Sequence, residues 1–286
     1  MKKFLTVCLA AGTLAASALG FSACSGNTLV VYTEAGFPPF EYRSENSIVG
    51  VDVDIMNMVG ERLGMDVHFE SVDFDIIIDT VSQGRLANVG AAGISITEER
   101  KEKVDFSIPY YTASLYVIYR EDGTMAPEIS ESTAENGEVI YWDSLAGMTI
   151  GVQGGTTADL FLTDEINEDW GVLYNTETNK RSFDSLSVAV NDIGLNSNVV
   201  IIDELPAQTL VANNEGLACL PLYYKGETVE EDEAAVDEYA IAVTPGQDEL
   251  LNAINEVLRE LIDDVDADGN NGIDRLIMNH LDLASD

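Results

Sequence analysis

Apolar and polar residues follow two different spacings along this chain. Short runs of apolar, β-branched and aromatic residues predict buried strands, and apolar residues that recur at helical spacing predict amphipathic helices. The predicted strands cover residues 29–32, 65–70, 88–93, 114–119, 148–152, 199–202 and 239–243. The predicted helices cover residues 52–63, 76–83, 157–162 and 249–262. Two polar, acidic stretches, 121–139 and 226–237, are typical of surface loops.

The alternation of strands and helices predicts an α/β fold with two lobes. Residues 28–112 plus 240–286 would form a discontinuous lobe 1, and residues 113–239 would form lobe 2. The chain then crosses between the lobes near residues 110–114 and near Tyr239, so these two crossings would serve as a hinge. Ligands of open α/β sheets bind beyond the carboxyl ends of strands, and pockets favour domain interfaces. We therefore expect a binding site between the lobes.

The first residues of the chain predict export. Lys2 and Lys3 precede an apolar stretch, residues 4–18, that is shorter than a membrane-spanning helix and typical of a secretory signal peptide. The sequence Ser22-Ala23-Cys24 resembles a lipobox, in which the cysteine is lipidated and becomes the new N-terminus. Phe21 is an unusual residue in that motif, which keeps simple secretion as the alternative.

This reading divides the N-terminal region into two parts. We expect residues 1–23 to be a cleaved lipoprotein signal peptide and residues 24–27 to be a tether lipidated at Cys24. The protein would then sit on the extracytoplasmic face of the cell membrane, attached to the lipid bilayer through that lipid. The sequence leaves open whether this face is a Gram-positive surface or a periplasm.

The chain is strongly acidic, with a formal net charge of −37 at pH 7. Such a surface repels phosphate backbones, which argues against a nucleic-acid partner. The charge serves either solubility at a crowded cell surface or the steering of cationic solutes, and both explanations stay open. Of the three cysteines, Cys8 lies in the signal peptide and Cys24 is the lipid site. Only Cys219 remains, so the fold does not depend on an internal disulfide.

The segment 93–111 carries the most specific chemistry. An apolar run of small residues, 89–94, ends in the hydroxyls of Ser95 and Thr97 and then in a charged helix start that contains Arg100. A cation just beyond a strand end, in so acidic a protein, indicates a group reserved for an anion. Arginine is suited to that task because its guanidinium binds a carboxylate with two parallel hydrogen bonds.

Together with four other segments, this one resembles a known family. Residues 34–42, 50–55, 93–111, 151–157 and 199–203 match, in order and at compatible spacings, the motifs of the bacterial extracellular solute-binding proteins of family 3. These proteins deliver polar amino acids to ABC importers. The resemblance implies a two-lobed, type II periplasmic-binding-protein-like fold, closure about the hinge onto a free amino acid, and a membrane permease as partner. It also implies a monomer that is not an enzyme and needs no cofactor or metal.

The resemblance assigns the two charged ends of the amino acid. Arg100 would bind the α-carboxylate, helped by Ser95, by the backbone at Gly93 and by Thr157 at a helix start. Asp203, at the end of a strand in lobe 2, would bind the α-ammonium group. From the residues alone, Arg100 could instead form a surface salt bridge with Asp105 or Glu98. Asp203 could instead cap the helix that follows it.

The remaining implied contacts concern the ligand's side chain. Phe37 and Phe74 would hold it between aromatic faces, which suit an aliphatic stem or a cation, although core packing is the alternative for both. Glu34 lies where relatives that bind basic amino acids often carry an acid. Gln153 replaces the lysine of some relatives, which makes an acidic ligand less suitable, and Thr156 belongs to the same hydroxyl-rich turn. We therefore expect a basic amino acid, with glutamine or cystine as alternatives.

Several other patterns point elsewhere. Asp264, Asp266 and Asp268 copy the first half of a calcium loop, but Arg275 stands where a bidentate glutamate is required. We therefore expect a solvated turn there. An enzyme such as a cyclohexadienyl dehydratase shares the implied fold and is the main rival, with Glu34 as its acid–base group. A sensor ectodomain is disfavoured because no spanning helix or signalling domain follows.

Overall fold

The computed structural model describes residues 28–123, 126–132, 137–228 and 231–284. The strands are β1 (Thr28–Thr33), β2 (Gly36–Phe37), β3 (Glu41–Ser44), β4 (Ser47–Val49), β5 (Asp66–Ser71), β6 (Val89–Gly90), β7 (Asp105–Phe106), β8 (Tyr111–Arg120), β9 (Ser130–Ser132), β10 (Gly137–Tyr141), β11 (Thr149–Gln153), β12 (Asn179–Phe183), β13 (Val199–Asp203), β14 (Leu217–Tyr224), β15 (Glu233–Ala234), β16 (Val236–Tyr239) and β17 (Ala242–Val243). The helices are α1 (Val51–Leu63), α2 (Ile77–Gln83), α3 (Glu98–Lys101), α4 (Thr157–Asn167), α5 (Leu186–Asn191), α6 (Glu204–Ala212), α7 (Asp248–Asp263) and α8 (Gly272–Ala284).

A five-stranded sheet forms the centre of lobe 1. Its order is β5-β1-β6-β17-β7, with β1 parallel to β5 and β6, and with β17 antiparallel to its neighbours. The central strands bury apolar side chains such as Val31 and Val89 because helices cover them. Helix α7, whose apolar residues keep to one face, contacts α1 and α8. The late strand β17 therefore joins residues distant in sequence to the first lobe.

A nine-stranded sheet forms the centre of lobe 2. Its main order is β12-β11-β13-β8-β14-β10-β9, while β15 pairs with β14 and β16 pairs with β8. Ile150, Val199 and Ile201 lie in its fully buried core. Strand β11 is parallel to both β12 and β13, so their carboxyl ends lie at one edge of the sheet. That edge carries Gln153 and Asp203, the last residues of β11 and β13.

The hinge consists of two paired strand segments. Residues 111–114 of β8 pair with residues 236–239 of β16, in the register Tyr111↔Tyr239 to Ser114↔Val236. Beyond this pairing, Ser95 of lobe 1 forms an isolated bridge with Tyr239. The residue ranges assigned above to each lobe stay a prediction, whereas the two crossings lie at paired strands.

The predicted helices and strands recur in the structure, with differences in extent. Strand 88–93 is reduced to β6, which ends at Gly90, and Gly93 beyond it has a left-handed φ of 52°. Strand 239–243 is divided between β16 and β17. The prediction of surface loops at 121–139 and 226–237 was wrong in part: β9, β10, β15 and β16 lie in or reach into those stretches, and Val139 is fully buried. Their acidic composition concealed these strands, of which β10 and β16 pair with strands far away in sequence, β14 and β8.

The predicted signal peptide and the proposed lipid site Cys24 lie outside the described residues. Within the described part of the chain, none of the helices combines the length and the apolar character needed to cross a bilayer.

Candidate ligand-binding cleft

A small, largely closed cavity lies between the two lobes. It is lined by Glu34, Phe37, Glu41, Phe74, Ala92, Gly93, Ser95, Gln153, Thr156, Thr157 and Asp203. Every residue predicted to bind the ligand is therefore in its wall except Arg100, which lines an adjoining depression with Phe74 and Gly155. A wider hollow between Arg120 and Asn198 is open to solvent. We assign the site to the inter-lobe cavity because buried charged side chains converge there.

Arg100 reaches across the gap between the lobes. It lies on α3, and the hydroxyl of Thr97, the residue that caps the start of this helix, accepts a hydrogen bond from the Arg100 backbone N–H at 3.2 Å. The guanidinium is buried, and it donates from Nη1 to the Ser95 carbonyl oxygen at 2.6 Å and from Nη2 to the Gly155 carbonyl oxygen of lobe 2 at 2.8 Å. The guanidinium carbon of Arg100, Cζ, lies 5.5 Å from the centre of the Phe74 ring. Burial lowers the pKa of Arg100, and nearby carboxylates oppose that change.

The two salt bridges considered for Arg100 are not formed. Glu98 pairs with Lys101 at 2.7 Å, and Asp105 accepts the Gly246 N–H at 3.1 Å. Arg100 is instead a buried cation whose guanidinium donates to two neutral oxygens, the carbonyl oxygens of Ser95 and Gly155. A buried guanidinium retains affinity for a carboxylate because water no longer competes for its N–H groups.

Hydroxyl groups from both lobes meet beside Arg100. The Oγ of Ser95 and the Oγ1 of Thr157 are 3.4 Å apart. Helix α4 begins at Thr157, where free backbone N–H groups favour an anion. Thr156 caps that helix, accepting the Asp159 N–H at 3.3 Å and donating to the Gln153 carbonyl oxygen at 2.8 Å. The Thr156 hydroxyl is thus already engaged within lobe 2.

Gly93 allows a close approach rather than supplying a donor. A Cβ at this residue would lie 2.8 Å from the Phe37 ring, and its φ of 52° is one that side chains rarely adopt. Its N–H donates to Asp52 Oδ2 at 2.9 Å, while Tyr110 donates its hydroxyl to Asp52 Oδ1 at 2.5 Å. Burial raises the pKa of Asp52 to about 6. The N–H of Gly93 is therefore engaged by Asp52 and is not a free donor for a ligand.

Three carboxyl groups line the other part of the cavity. Glu41 is 1% exposed, and neither of its carboxyl oxygens has a hydrogen-bond partner. Burial raises the pKa of Glu41 well above its usual range, and the charges of Asp52, Glu34 and Asp203 add to this effect. Burial also raises the pKa of Glu34, opposed mainly by a hydrogen bond from Gln153. Such a cluster favours a cation, because burial and mutual repulsion outweigh the nearby positive charges and keep the pKa values of the carboxyl groups raised.

Asp203 faces the cavity instead of capping the next helix. It occupies the N-cap position of α6 but makes no side-chain hydrogen bond to that helix. Its side chain is buried, and Oδ1 has no partner. Burial and the charge of Asp237 raise the pKa of Asp203 well above its usual range. The cap considered for Asp203 is therefore not formed, and its carboxylate is available to a ligand.

Comparison with known proteins agrees with this geometry. The family model described as bacterial extracellular solute-binding proteins, family 3, matches residues 29–268. The chain belongs to this family. Its role is therefore the binding of a solute outside the cytoplasm, within a type II two-lobed fold.

Proteins similar to this chain are named for the amino acid that they bind, or have been solved with an amino acid bound. The chain is 27% identical over 268 residues to the arginine-binding extracellular protein ArtP of Bacillus subtilis, covering 92% of this chain and 94% of ArtP. The structure of AbpA of Streptococcus pneumoniae bound to L-arginine is 25% identical, with a TM-score of 0.72, covering 91% and 97% of the two chains. An ancestral arginine-binding protein bound to glutamine is 29% identical, with a TM-score of 0.69, covering 89% and 98%.

Aromatic rings form the floor of this family 3 cleft. The Phe37 ring packs at 6.3 Å from Tyr239, and Tyr239 packs at 5.0 Å from Phe40. Phe37 is buried in the core of lobe 1 and also lines the cavity, so core packing and ligand contact are both served by one side chain. Phe74 lies under Arg100 and lines the opposite wall.

Three residues at or beside the cleft, Glu41, Asp52 and Asp237, were not predicted from the sequence. Glu41 lies within the 34–42 motif, and the signal for it was an isolated acid between Phe40 and Tyr42 in an apolar segment. Asp52 lies in the quoted 50–55 motif without an assigned role. Asp237 lies in a stretch predicted to be a loop, and only the pairing of β16 with β8 brings it to the cleft.

The predicted solvated turn at Asp264, the histidine His280 and Cys219 lie outside the cavity wall. Arg275 donates to the Asp264 carbonyl oxygen at 2.9 Å and pairs with the Asp264 carboxylate, so the loop contains its own cation. His280 contacts the Tyr42 hydroxyl at 3.2 Å and Asp54 at 3.0 Å between α8 and α1. Cys219 is half-buried in β14, where burial raises its pKa to about 11.

Proposed function

We propose that this protein binds a basic L-amino acid, with a side chain of the arginine type, and presents it to an ABC importer. The observation that carries the proposal is Glu41: its carboxyl group is buried in the cavity wall with both oxygens unpartnered. A buried carboxylate without a partner is costly, and a guanidinium or ammonium group would satisfy it.

The two ends of an α-amino acid match the two ends of the cleft. Arg100, Ser95 and Thr157 form a cluster of donors for the α-carboxylate. Asp203, with its unpartnered Oδ1, is the acceptor for the α-ammonium group. These residues come from both lobes, so one ligand would hold the lobes together about the hinge.

The side chain of the ligand would lie towards the acids. Its aliphatic stem would pack against Phe37 and Phe74, and its cationic end would meet Glu41 and Glu34. Gln153, which hydrogen-bonds Glu34, would hold that carboxylate in place. Relatives named as arginine-binding support this preference. We propose no catalytic step, because the relatives are binding proteins.

We further propose that the protein is a monomer attached to the membrane by a lipid on Cys24 after removal of residues 1–23. The closed form would dock on a permease at the extracytoplasmic face. Radiolabelled palmitate incorporation in cells, lost in Cys24→Ala, tests the anchor; an unmodified wild-type protein refutes it.

The ligand is tested by a thermal-shift panel followed by calorimetry. At about one hundred times its dissociation constant, a ligand adds roughly 2.7 kcal/mol of stability. We expect arginine, lysine, ornithine or histidine to raise the melting temperature. A response to glutamate or aspartate alone would overturn the basic preference.

Glutamine is a second candidate ligand, supported by one specific observation. A solved relative with 29% identity is bound to glutamine. A neutral amide would hydrogen-bond the protonated form of Glu41, whose pKa is raised by burial. Glutamine binding tighter than that of every basic amino acid would favour this alternative.

A further inference from the structure

A buried aspartate, Asp203, and a half-buried one, Asp237, flank the hinge strand β8. Asp203 of β13 pairs with Leu115, and Asp237 of β16 pairs with Ala113, on the same strand. Paired residues of antiparallel strands share a face, as do residues two apart on one strand. The side chains of Asp203 and Asp237 therefore project from the same face of the sheet, beside the binding cleft.

Each aspartate has an unmet hydrogen-bonding atom. The Oδ1 atoms of Asp203 and Asp237 are both buried without a partner. The Oδ2 of Asp237 accepts a short hydrogen bond from the Thr157 hydroxyl, and the Asp237 carboxylate also interacts with Ser95. The charged and titratable groups that face Asp237 are Asp203, Arg100 and Tyr239.

The charge of Asp237 acts on the buried carboxyl group of Asp203, and two carboxyl groups that repel each other in this way cannot both be ionised cheaply. Burial raises the pKa of Asp237, with hydrogen bonds from Thr157 and Ser95 and the charge of Arg100 acting in the opposite direction. Burial and the charge of Asp237 raise the pKa of Asp203. One proton shared by the pair relieves their repulsion in the empty cleft.

The Thr157 hydroxyl creates a conflict with ligand binding. A hydroxyl has one hydrogen, and in this structure Thr157 donates it to Asp237. While Asp237 is ionised, that hydrogen is unavailable to the α-carboxylate of a ligand. If Asp237 carries a proton, it donates to Thr157 Oγ1 instead, and the Thr157 hydrogen turns to the ligand.

We propose that Asp237 is a positioning residue that holds a proton in the ligand-bound state and so orients the Thr157 and Ser95 hydroxyls towards the α-carboxylate. The α-ammonium group would ionise Asp203, and the proton leaving Asp203 would pass to Asp237. The transfer leaves the total charge of the two aspartates unchanged. At a pH high enough to ionise both aspartates before the ligand binds, Asp237 would take its proton from solvent instead. The inference rests on the proposed binding of an α-amino acid, whatever its side chain.

The test compares two substitutions, with L-arginine as the probe. In Asp237→Asn the amide donates to Thr157 as the protonated acid would, whereas Asp237→Ala removes the support. By calorimetry at pH 6 we expect the Asn variant to bind within about threefold of wild type and the Ala variant to bind at least about tenfold more weakly. Between pH 7 and 9 wild type should bind progressively more weakly, because Asp237 loses its proton, whereas asparagine has none to lose. The ratio of the dissociation constant of the Asn variant to that of wild type should therefore fall. Glu238→Gln, at an exposed neighbour on β16, should match wild type throughout.

Infrared difference spectra test the proton directly. With ¹³C-labelled aspartate, the arginine-bound wild type should show a protonated-carboxyl band that is absent from Asp237→Asn. This measurement on wild type stands even if a variant fails to fold. A bound complex without that band, or equal weakening of the Asn and Ala variants at every pH, overturns the inference. Wild-type protein that binds no amino acid overturns the proposed function instead; if only another L-amino acid binds, the same measurements apply with that ligand.

Discussion

Replacing Glu41 by glutamine separates the contribution of its charge to binding from its effect on the empty protein. Glutamine has nearly the same shape, but it cannot ionise. Glu41 is 1% exposed and has no hydrogen-bond partner at either oxygen. The substitution therefore removes a buried, uncompensated acid while leaving the packing of the cavity wall unchanged.

Binding of arginine should weaken substantially. Hydrogen bonds to charged groups contribute about 1.5–3 kcal/mol, and leaving a buried charge without its partner costs about 3–5 kcal/mol. Because Glu34 remains beside the ligand's cationic end, we take about 2–4 kcal/mol, which is roughly a 30- to 700-fold rise in the dissociation constant. Glutamine as ligand should lose much less affinity, since it brings no charge to that position.

In the ligand-free protein, Glu41→Gln should increase the stability of the fold relative to wild type, whereas it weakens arginine binding. The pKa of Glu41 is raised well above 4.5 in the folded state, so folding binds a proton above that pH. The stability associated with this protonated form is lost as pH rises through the folded pKa. Glu41→Gln does not suffer this loss. Its stability relative to wild type should therefore increase with pH from about 4.5 upward.

Calorimetry with arginine and glutamine, together with denaturant unfolding of the ligand-free protein from pH 4 to 8, measures both effects. Glu61→Gln, at an exposed position of α1, is the matched control and should leave both unchanged. Arginine affinity that is equal in wild type and Glu41→Gln would refute the placement of the cationic end. A relative stability that falls with pH would refute the reasoning about the buried charge.

Three further predictions concern the rest of the cleft. Arg100→Ala should weaken binding of any α-amino acid by roughly a hundred to several thousand times in calorimetry, and unchanged affinity would reject its role. In Gly155→Ala, the added Cβ would lie 3.1 Å from Asp75 across the lobes, so the compaction that a ligand induces, measured by small-angle scattering, should be smaller. The control is Gly147→Ala, where φ is similarly positive but an added Cβ has nothing within 4 Å. Identical behaviour of the two variants would contradict this prediction. The pKa of Asp52, raised to about 6 from 3.8, makes stability fall by about 3 kcal/mol as pH rises through that window. Urea unfolding at pH 4 and 7 should show that Asp52→Asn lacks this fall, and an equal fall in the variant would exclude Asp52 as its source.

Much of the site could be anticipated because its residues follow strand ends. Gln153 and Asp203 end β11 and β13, and Ser95 follows β6 closely, so apolar runs marked their neighbourhood. The motifs of the family then gave each a role. Most residues that line the cavity were predicted from the sequence, but Asp52 and Asp237, which accept hydrogen bonds from Gly93 and Thr157 in its wall, were not.

Glu41 and Asp237 could not be anticipated in the same way. Glu41 begins β3, the middle strand of the three-stranded sheet β2-β3-β4, and only tertiary packing buries it in the cavity wall. Asp237 lies 80 residues from Thr157, the group it accepts a hydrogen bond from. An acidic stretch is most often a solvated surface, and composition alone therefore favoured a loop.

The sequence by itself determined the α/β alternation, the family and the charged groups for a zwitterion, since these depend on local spacing and on short motifs. Tertiary structure alone decided which carboxyl oxygens are buried without partners. It also decided that Asp237, on the hinge strand β16, accepts a hydrogen bond from Thr157 in the cleft. Burial and electrostatic repulsion depend on distances through space, and pairing between β8 and β16 sets those distances.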